Sequence, residues 1–260
     1  MRQVRSVRTI QGLALVAALV TVGAGCATDR LWAPSREQVI QRILPSSVQV
    51  VLEEQGRRFR SGSGVIIAAP PTGPRAECLV LTAGHTLHGL NESQQLSVLL
   101  ERHRGKGTRV PATVLAQREE DDIDLALLRI ESDHCVAARF GPMPTLGDAI
   151  WVVAFPWGRN MTLAGGNVSQ LDGGTSEDGD PSRLMVDASV SYGASGGGVF
   201  QASTGRLVGL VEGYRTARVS FKGETAARYI DVPVPGETYV TSMPSIRRFL
   251  TDAGYAKLLP

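Results

Sequence analysis

Short runs of apolar or alternating residues, separated by Gly, Pro, Asp and charged turns, dominate the chain after Pro45. Such runs are typical of β-strands in a barrel or a sandwich. The clearest runs are SVQVVLEE, GSGVIIAA, ECLVLTA, LSVLL, VPATVLA, DLALLRI, AIWVVAF, RLMVDASV, GGGVF and LVGLVEG. Helical patterns do not alternate with them, and no internal sequence repeat is visible. The pattern therefore predicts an all-β protein.

Two short helices are predicted at the ends of this strand-rich region. S-R-E-Q at residues 35–38 matches a capping box, which predicts a helix over Arg36–Leu44 that stops at Pro45. SIRRFLTDAGYAK, residues 245–257, predicts a second helix with Ser245 as its cap.

The N-terminal 25 residues predict an export signal. A basic start, MRQVRSVR, precedes an apolar stretch over 10–22 that is too short to span a bilayer comfortably. The next residues, VGAGCA, resemble a bacterial lipobox around Cys26, although Gly23 stands where Leu or Val is usual. Two alternatives remain: lipidation of Cys26, with residues 26–34 as a tether, or ordinary signal cleavage nearby.

Either alternative predicts an exported protein. A lipoprotein would lie at the periplasmic face of a bacterial membrane, and Ala27 is not the aspartate that signals inner-membrane retention, so we expect the outer membrane. Ordinary cleavage would leave a soluble periplasmic or secreted protein.

Besides Cys26, the chain contains Cys78 and Cys135. In an oxidising compartment this pair is a candidate disulfide, and the alternative is two buried thiols that never meet.

Composition and charge narrow the class of protein only slightly. The 260 residues are 43% hydrophobic and 20% charged, which is ordinary for a globular protein and sufficient for one large all-β domain or two small ones. The net charge of +2 gives no reason to propose a nucleic-acid partner, and removal of the arginines in the leader would bring the chain close to neutrality. No cofactor motif or metal-ligand cluster is visible in the sequence, so we predict neither.

Three residues form a candidate nucleophilic site. His85 follows an apolar strand in LVLTAGHTL, a place that presents an imidazole at a strand end. Asp124 lies one step inside the apolar run of DDIDLALLRI, where a buried carboxylate needs a partner such as a histidine N–H. Ser195 lies among small residues in SYGASGGGVF. A nucleophilic serine needs a base, and the base needs an anchor that fixes its tautomer.

Each of these residues also has a structural alternative: a structural histidine, a strand-end aspartate that caps a turn, and a serine in a tight turn. The other histidines lie in polar surroundings and are predicted to be surface groups: His88, His103 and His134.

The glycines around Ser195 predict an oxyanion-binding site. Glycine at 193, 196 and 197 lets the chain turn so that the N–H groups of Gly193 and Ser195 point the same way, towards a developing oxyanion. G-A-S-G-G also matches the G-x-S-x-G elbow of α/β-hydrolases, in which the catalytic histidine follows the serine. No histidine follows Ser195 in this chain, which excludes that class.

Three segments of the chain resemble, in order, the catalytic blocks of trypsin-like serine proteases: LTAGHTL, DIDLALLRI and GASGGGVF. Further segments resemble those of the bacterial HtrA (Deg) branch: VIQRILPSSVQV, GSGVII, VVAFPWG, LAGGNVSQL, VDASVSYGASGG and TSMPSIRRFL. The resemblance therefore runs from about residue 36 to 252. The resemblance implies two six-stranded Greek-key β-barrels, at approximately 46–140 and 141–245, within a protease domain of residues 35–260.

Two departures from the HtrA pattern stand out. Ala194 replaces the usual Asn or Asp before the serine, and we expect activity to survive because that side chain is not part of the proton relay. The chain ends soon after the closing helix, so we expect no PDZ domain. The absence of a PDZ domain puts the peptide sensing and cage-like assembly of the family in doubt, and leaves the oligomeric state open between trimer and monomer.

The resemblance implies a serine endopeptidase that acts on proteins or peptides, with misfolded envelope proteins as one candidate substrate. Ser189, six residues before the serine, would lie at the base of the primary specificity pocket beside Val190, which implies cleavage after small aliphatic residues such as Val or Ala. The alternative is a catalytically weak or latent protease-like binding module of the cell envelope. In that case the polar stretches 173–182 and 215–228, which predict long loops, would cover or disorder the site until a partner binds.

Overall fold

The computed structural model describes residues 33–69, 76–120, 123–172, 182–222 and 227–259. The predicted leader, Cys26 and nearly all of the tether lie outside these residues, as does the polar stretch 173–182 except for Ser182. Within the ranges described, no helix has the length and apolar character needed to cross a membrane.

The described strands close into two antiparallel barrels of six strands each. The first barrel contains β1 (Ser47–Glu54), β2 (Arg57–Ala68), β3 (Glu77–Thr82), β4 (Gln94–Leu100), β5 (Thr108–Glu120) and β6 (Ile123–Glu131). The second contains β7 (Ala149–Ala154), β8 (Thr162–Asp172), β9 (Arg183–Val186), β10 (Gly198–Gln201), β11 (Leu207–Lys222) and β12 (Ala227–Ser242).

Both barrels use the same strand order. The first runs β1-β2-β3-β6-β5-β4 and the second runs β7-β8-β9-β12-β11-β10, each closing on its first strand. The two halves of the chain therefore repeat one topology without a visible sequence repeat. The all-β prediction and the prediction of two six-stranded barrels are confirmed.

Strand β6 illustrates how the residue pattern produces this packing. Its alternate residues point to opposite faces, as in any strand. Ala126, Leu128 and Ile130 pack in the interior of the first barrel, whereas Leu125 and Leu127 pack in a cluster between the barrels. Burial on both faces explains why the run is continuously apolar rather than alternating.

The cluster between the barrels joins strands from both halves of the chain to the two helices. Val65 and Leu81 of the first barrel meet Phe200 and Leu210 of the second in this cluster. The helices α1 (Arg36–Ile43) and α2 (Met243–Asp252) cover it with apolar side chains, which include Ile43, Ile246, Phe249 and Leu250. The barrels are therefore held against one another by a shared core.

The first helix agrees closely with the sequence. The predicted capping box forms: the Ser35 hydroxyl accepts from Gln38 N at 3.2 Å, and the Gln38 side chain accepts from Ser35 N at 2.8 Å. The α-helix ends at Ile43, one residue earlier than predicted, and Pro45 lies in a following 3₁₀ turn over Leu44–Ser46.

The predicted bounds of the second helix are wrong at both ends. The N-cap is Ser242 rather than Ser245. The Ser242 hydroxyl accepts from the Ser245 N–H, and the helix begins at Met243. It ends at Asp252, just before Gly254, whose φ of +83° is a left-handed conformation that does not continue an α-helix. The Ser245 hydroxyl instead donates to Ser182 O at 3.0 Å.

The prediction of a long loop over 215–228 is also wrong. β11 and β12 pair continuously from Thr216↔Pro233 to Lys222↔Ala227, which forms a hairpin arm (216–222 and 227–233). On one face Val219, Ile230 and Val232 are exposed, and on the other Arg218 forms an ion pair with Asp231 at 2.9 Å. The apolar and polar residues alternate with the period of a strand, but the polar composition of the segment hides this alternation.

Cys78 on β3 and Cys135 after β6 are joined by a disulfide across 57 positions. The bond lies beside the core of the first barrel, where Cys78 is buried. On the chain-entropy model, a cross-link of this span destabilises the unfolded chain by about 4 kcal/mol.

Candidate active site

Asp124 holds His85 through two hydrogen bonds. His85 lies in a 3₁₀ turn, Gly84–Leu87, directly after β3. Asp124 Oδ1 accepts from the His85 backbone N–H at 2.7 Å, and Oδ2 accepts from His85 Nδ1–H at 2.5 Å. The carboxylate therefore fixes both the backbone and the ring of the histidine, and leaves Nε2 as the ring nitrogen that can take a proton.

The close approach of the two residues depends on Gly84. A Cβ at this position would overlap the Arg118 carbonyl and lie 2.9 Å from Asp124 Oδ1. Asp124 itself is only 8% exposed, so its charge is compensated mainly by the two donors of His85. The hydrogen bond to Asp124 raises the pKa of His85 above 6.5, although burial acts in the opposite direction.

Ser195 lies in the same cleft, in the loop that leads into β10. The cleft is lined from the first barrel by Arg60, Ser61, His85, Thr86, His88, Glu119 and Asp124, and from the second by Tyr192, Gly193, Ser195, Glu212, Gly213, Tyr214 and Tyr239. Among the residues described, no hydrogen bond joins the Ser195 hydroxyl to the His85 ring. The fold therefore brings the three predicted residues into one cleft, where the Ser195 hydroxyl is not held by His85.

Two backbone donors beside the serine are not engaged within the described chain: the N–H groups of Gly193 and Ser195. Their neighbours are engaged, since Ala194 N donates to Ser191 O at 3.0 Å and Gly196 N donates to Val211 O at 2.7 Å. Gly193 has a φ of +88°, and a Cβ there would lie 2.9 Å from Phe155 O. The glycine is thus required by both conformation and space, and two donors remain for an oxyanion.

Ser63 on β2 holds the serine loop in place, and the sequence analysis did not identify it. Its N–H donates to Ser195 O at 2.8 Å, and its hydroxyl donates to Gly193 O at 2.8 Å. The same hydroxyl accepts from Phe155 N at 2.9 Å, while its carbonyl accepts from the Thr82 hydroxyl at 2.7 Å. In the sequence, Ser63 stands out only as part of the G-S-G triplet, and this triplet does not indicate that its serine binds a distant loop.

Ala194 is buried in the interior of the second barrel, where it packs with Val152, Val186 and Val199. A small apolar residue fits this place without a polar partner. The structure therefore accommodates the departure from the usual Asn or Asp through apolar packing.

The predicted specificity residues are not among those that line the cleft. Ser189 is exposed, and Val190 packs partly buried against the interior cluster of the second barrel. Their assignment to the primary pocket stays a prediction.

Among the other histidines, His88 is exposed beside Glu119 at 2.9 Å and His134 is exposed. His103 differs from the surface prediction: it is half-buried, and burial lowers its pKa below 6.5.

A second carboxylate lies near the His85–Asp124 pair. Glu212 on β11 lines the cleft and accepts from Arg183 Nη2 at 2.6 Å and Nε at 2.7 Å. Burial raises the pKa of Glu212, and the ion pair with Arg183 acts against this shift. The sequence analysis missed both residues, since a single Glu after the apolar run LVGLV does not predict a partner on another strand. No group of His, Cys, Asp and Glu side chains suited to a metal is found in the described part of the chain.

The trypsin-like peptidase domain model matches residues 62–210, more than half of the chain, and the chain belongs to this family. It is 28% identical over 176 residues to a "probable periplasmic serine endoprotease DegP-like" of Marinomonas sp. (strain MWYL1). The aligned residues make up 67% of this chain and 34% of that protein. It is 29% identical over 167 residues to the mitochondrial serine protease HTRA2 of Drosophila erecta, which covers 62% of this chain and 36% of that protein. The resemblance to the HtrA branch is confirmed.

The chain spans about a third of the length of these curated relatives. Among solved structures, the serine endoprotease from Yersinia pestis superposes with a TM-score of 0.60 at 21% identity, covering 85% of this chain and 66% of that one. At this identity, the similarity to the solved structure shows that the two proteins share a fold.

The first prediction concerns Ser63. Ser63→Ala removes the hydroxyl bonds to Gly193 O, which is half-buried, and from Phe155 N, which is buried, and leaves both groups without this partner. We expect the free energy of unfolding to fall by about 1–3 kcal/mol, measured by urea denaturation. We also expect kcat/KM to fall by about 100-fold, because the donor at Gly193 is no longer held.

Ser46→Ala is the matched control, because Ser46 is equally buried and its hydroxyl donates to Ile43 O at 2.9 Å, away from the cleft. It should lower stability without changing kcat/KM. Equal kinetic effects of the two variants would show that Ser63 does not position the serine loop.

The second prediction concerns the protonation of His85. Asp124→Asn removes the hydrogen-bonded charge that is the main cause of the raised His85 pKa, while burial continues to act downwards. The pKa of His85, measured from its ring resonances by NMR, should therefore lie above 6.5 in the wild type and fall in Asp124→Asn. Glu77→Gln, an exposed carboxylate outside the cleft lining, should leave it unchanged; a shift of equal size there would contradict the assignment.

Proposed function

We propose that the chain is an exported serine endopeptidase that hydrolyses peptide bonds of proteins through an acyl-serine intermediate. The observation that carries the proposal is the pair of unengaged N–H groups of Gly193 and Ser195, in the same cleft as the His85–Asp124 pair. Backbone donors aimed at one point are what an oxyanion needs, and a histidine with one ring nitrogen anchored is what a serine needs as a base.

The positions of these groups support the following reaction. Ser195 Oγ forms a bond to the substrate carbonyl carbon while its proton moves to His85 Nε2, and the negative charge gathers on the carbonyl oxygen beside the two N–H donors. The carbon–nitrogen bond then breaks and His85 gives the proton to the leaving amine. Water repeats the sequence on the acyl group and restores the serine. Asp124 orients His85 and stabilises its cationic form throughout.

Specificity and location complete the proposal. Ser189 carries no charge, so a basic substrate side chain would find no carboxylate there, and we propose small aliphatic residues such as Val or Ala on the acyl side of the cleaved bond. The similarity to a periplasmic DegP-like endoprotease supports export. Protein or peptide substrates are proposed on the same ground, with misfolded envelope proteins as a candidate.

The third prediction tests the catalytic role of Ser195. Ser195→Ala should lower casein cleavage by about 10⁴-fold or more and abolish labelling by a fluorophosphonate, because both require the nucleophilic oxygen. The circular dichroism spectrum and the unfolding midpoint should stay close to those of the wild type. Ser191→Ala, four positions away in the same loop, is the matched control and should still label. Labelling that persists in Ser195→Ala would remove this serine from its role.

One observation favours the alternative of a latent or weak protease-like binding module. The Ser195 hydroxyl makes no hydrogen bond to His85 among the residues described, as expected of a site that is not assembled. An active enzyme can show the same geometry, because catalytic hydrogen bonds that are loose without substrate tighten in the complex. Labelling of the wild type distinguishes the cases: an active enzyme labels promptly, a latent enzyme labels slowly or only with an activator, and a binding module does not label.

The fourth prediction concerns the anchor at Cys26, which lies outside the described residues. In cells that express the full chain, metabolically supplied radioactive palmitate should be incorporated by the wild type and lost in Cys26→Ser, because the thiol is the proposed attachment point. Cys135→Ser should remain labelled. A wild type that incorporates no palmitate would leave ordinary signal cleavage as the explanation of the leader.

A further inference from the structure

A continuous row of three aromatic rings begins in the cleft: Tyr214 and Tyr192 line it, and Trp157 packs against Tyr192. We call these three residues the aromatic wall. The ring centroids of Trp157 and Tyr192 are 5.2 Å apart, and those of Tyr192 and Tyr214 are 5.7 Å apart in an edge-to-face arrangement. Trp157 is 64% exposed and Tyr192 is 58% exposed. Neighbouring exposed rings of this kind mark a surface that binds something apolar.

The backbone holds Trp157 in this exposed position at a conformational cost. Its φ of +56° is left-handed, which is uncommon for a bulky residue. The Trp157 N–H donates to Tyr192 O at 2.6 Å, and the carbonyl of Gly158 accepts from Gln49 Nε2 at 2.9 Å and from Arg58 Nη1 at 2.6 Å. Bonds to both barrels therefore maintain a strained residue whose ring faces outwards, a combination that is found at binding sites.

The aromatic wall lies next to the proposed chemistry. Tyr192 directly precedes Gly193, whose N–H is one of the two unengaged donors, and both Tyr192 and Tyr214 line the cleft that contains Ser195. Consecutive Cα atoms of an extended peptide are about 3.8 Å apart. A peptide carbonyl at the two donors therefore places a neighbouring side chain of that peptide beside the rings.

The chemistry of the wall selects among side chains. Burial, together with a hydrogen bond to Tyr192, raises the pKa of Tyr214 to about 12, so its hydroxyl stays neutral at physiological pH. The ring faces offer apolar contact. On the strand of Tyr214, the charged group that lines the cleft is Glu212, which is paired with Arg183. The neighbouring Arg215, outside the cleft lining, is paired with Glu237 at 3.0 Å. Large apolar side chains match this surface better than charged ones.

We propose that the aromatic wall binds a large apolar side chain, aromatic or branched aliphatic, of the polypeptide substrate at a position that flanks the cleaved bond. This inference rests on the proposed peptidase function and deepens it, because it adds a second specificity position to the small residue proposed on the acyl side. Loss of such a contact lowers the relative kcat/KM by about tenfold or more.

The fifth prediction tests this specificity with a library of proteome-derived peptides, whose cleavage products are sequenced on both sides of the cut. Wild type and Tyr192→Phe, which keeps the ring, should enrich a large apolar residue at one position within about three residues of the cut. In Tyr192→Ala and Trp157→Gly, the kcat/KM ratio of a peptide with that residue to its alanine counterpart should fall by about tenfold. Glycine is chosen at 157 because it adopts a left-handed backbone without strain.

Tyr229→Ala is the matched control, since Tyr229 is 61% exposed but lies on the hairpin arm, outside the cleft lining. It should retain the wild-type preference. Cleavage by the wild type without enrichment, or enrichment that survives loss of both Tyr192 and Trp157, would overturn the inference while leaving the proposed function intact.

A binding measurement separates the two failures. The Ser195→Ala chain should bind a fluorescent peptide that carries phenylalanine at the enriched position about tenfold more tightly than its alanine counterpart, and Trp157→Gly in that background should remove the difference. If the wild type cleaves nothing, a phenylalanine and an alanine peptide of otherwise identical sequence are used, with phenylalanine moved through each position. A preference lost in Trp157→Gly would then support the wall without the peptidase, and equal affinities would refute it.

Discussion

The active-site cleft depends on the hydrogen bonds that Ser63 makes across the junction of the barrels. This residue belongs to the first barrel, as do His85 and Asp124, yet its N–H and hydroxyl bind the carbonyls of Ser195 and Gly193 in the second. Its polar groups are buried, so a displacement of one barrel would leave them unpaired at a cost of about 1–3 kcal/mol each. His85 and Ser195, the proposed base and nucleophile, are thereby fixed relative to each other, although they come from separate barrels.

The same junction explains the glycines around Ser195 more fully than access to the nucleophile does. A Cβ at Gly196 would overlap the Ser63 carbonyl, and one at Gly193 would approach Phe155 O. Both glycines also have positive φ, at +82° and +88°. The sequence analysis attributed the small residues to access and to backbone donors. In the structure Gly196 also allows the two barrels to approach closely enough for Ser63 to reach the loop, whereas the contact of Gly193 with Phe155 lies within the second half of the chain.

How much the sequence predicted depends on whether the signal was local. Strand patterns and the burial of Asp124 beside apolar neighbours are local, and they led to the correct fold class and to a partner for the carboxylate. Contacts between distant strands leave no such pattern, so Ser63, the Arg183–Glu212 pair and the aromatic wall were missed. The hairpin arm was missed because its composition is polar, whereas its alternation matches a strand.

The charges near His85 suggest why Glu212 is paired. Asp124 is the main cause of the raised pKa of the imidazole, Glu119 and Glu212 already add smaller upward contributions, and an unpaired carboxylate at 212 would add more. An imidazole that is cationic at neutral pH cannot accept the serine proton, and a base works best with a pKa near the operating pH. The two hydrogen bonds from Arg183 place a positive charge against Glu212. The pair thus lets the cleft contain a second acid while the field at His85 comes mainly from Asp124.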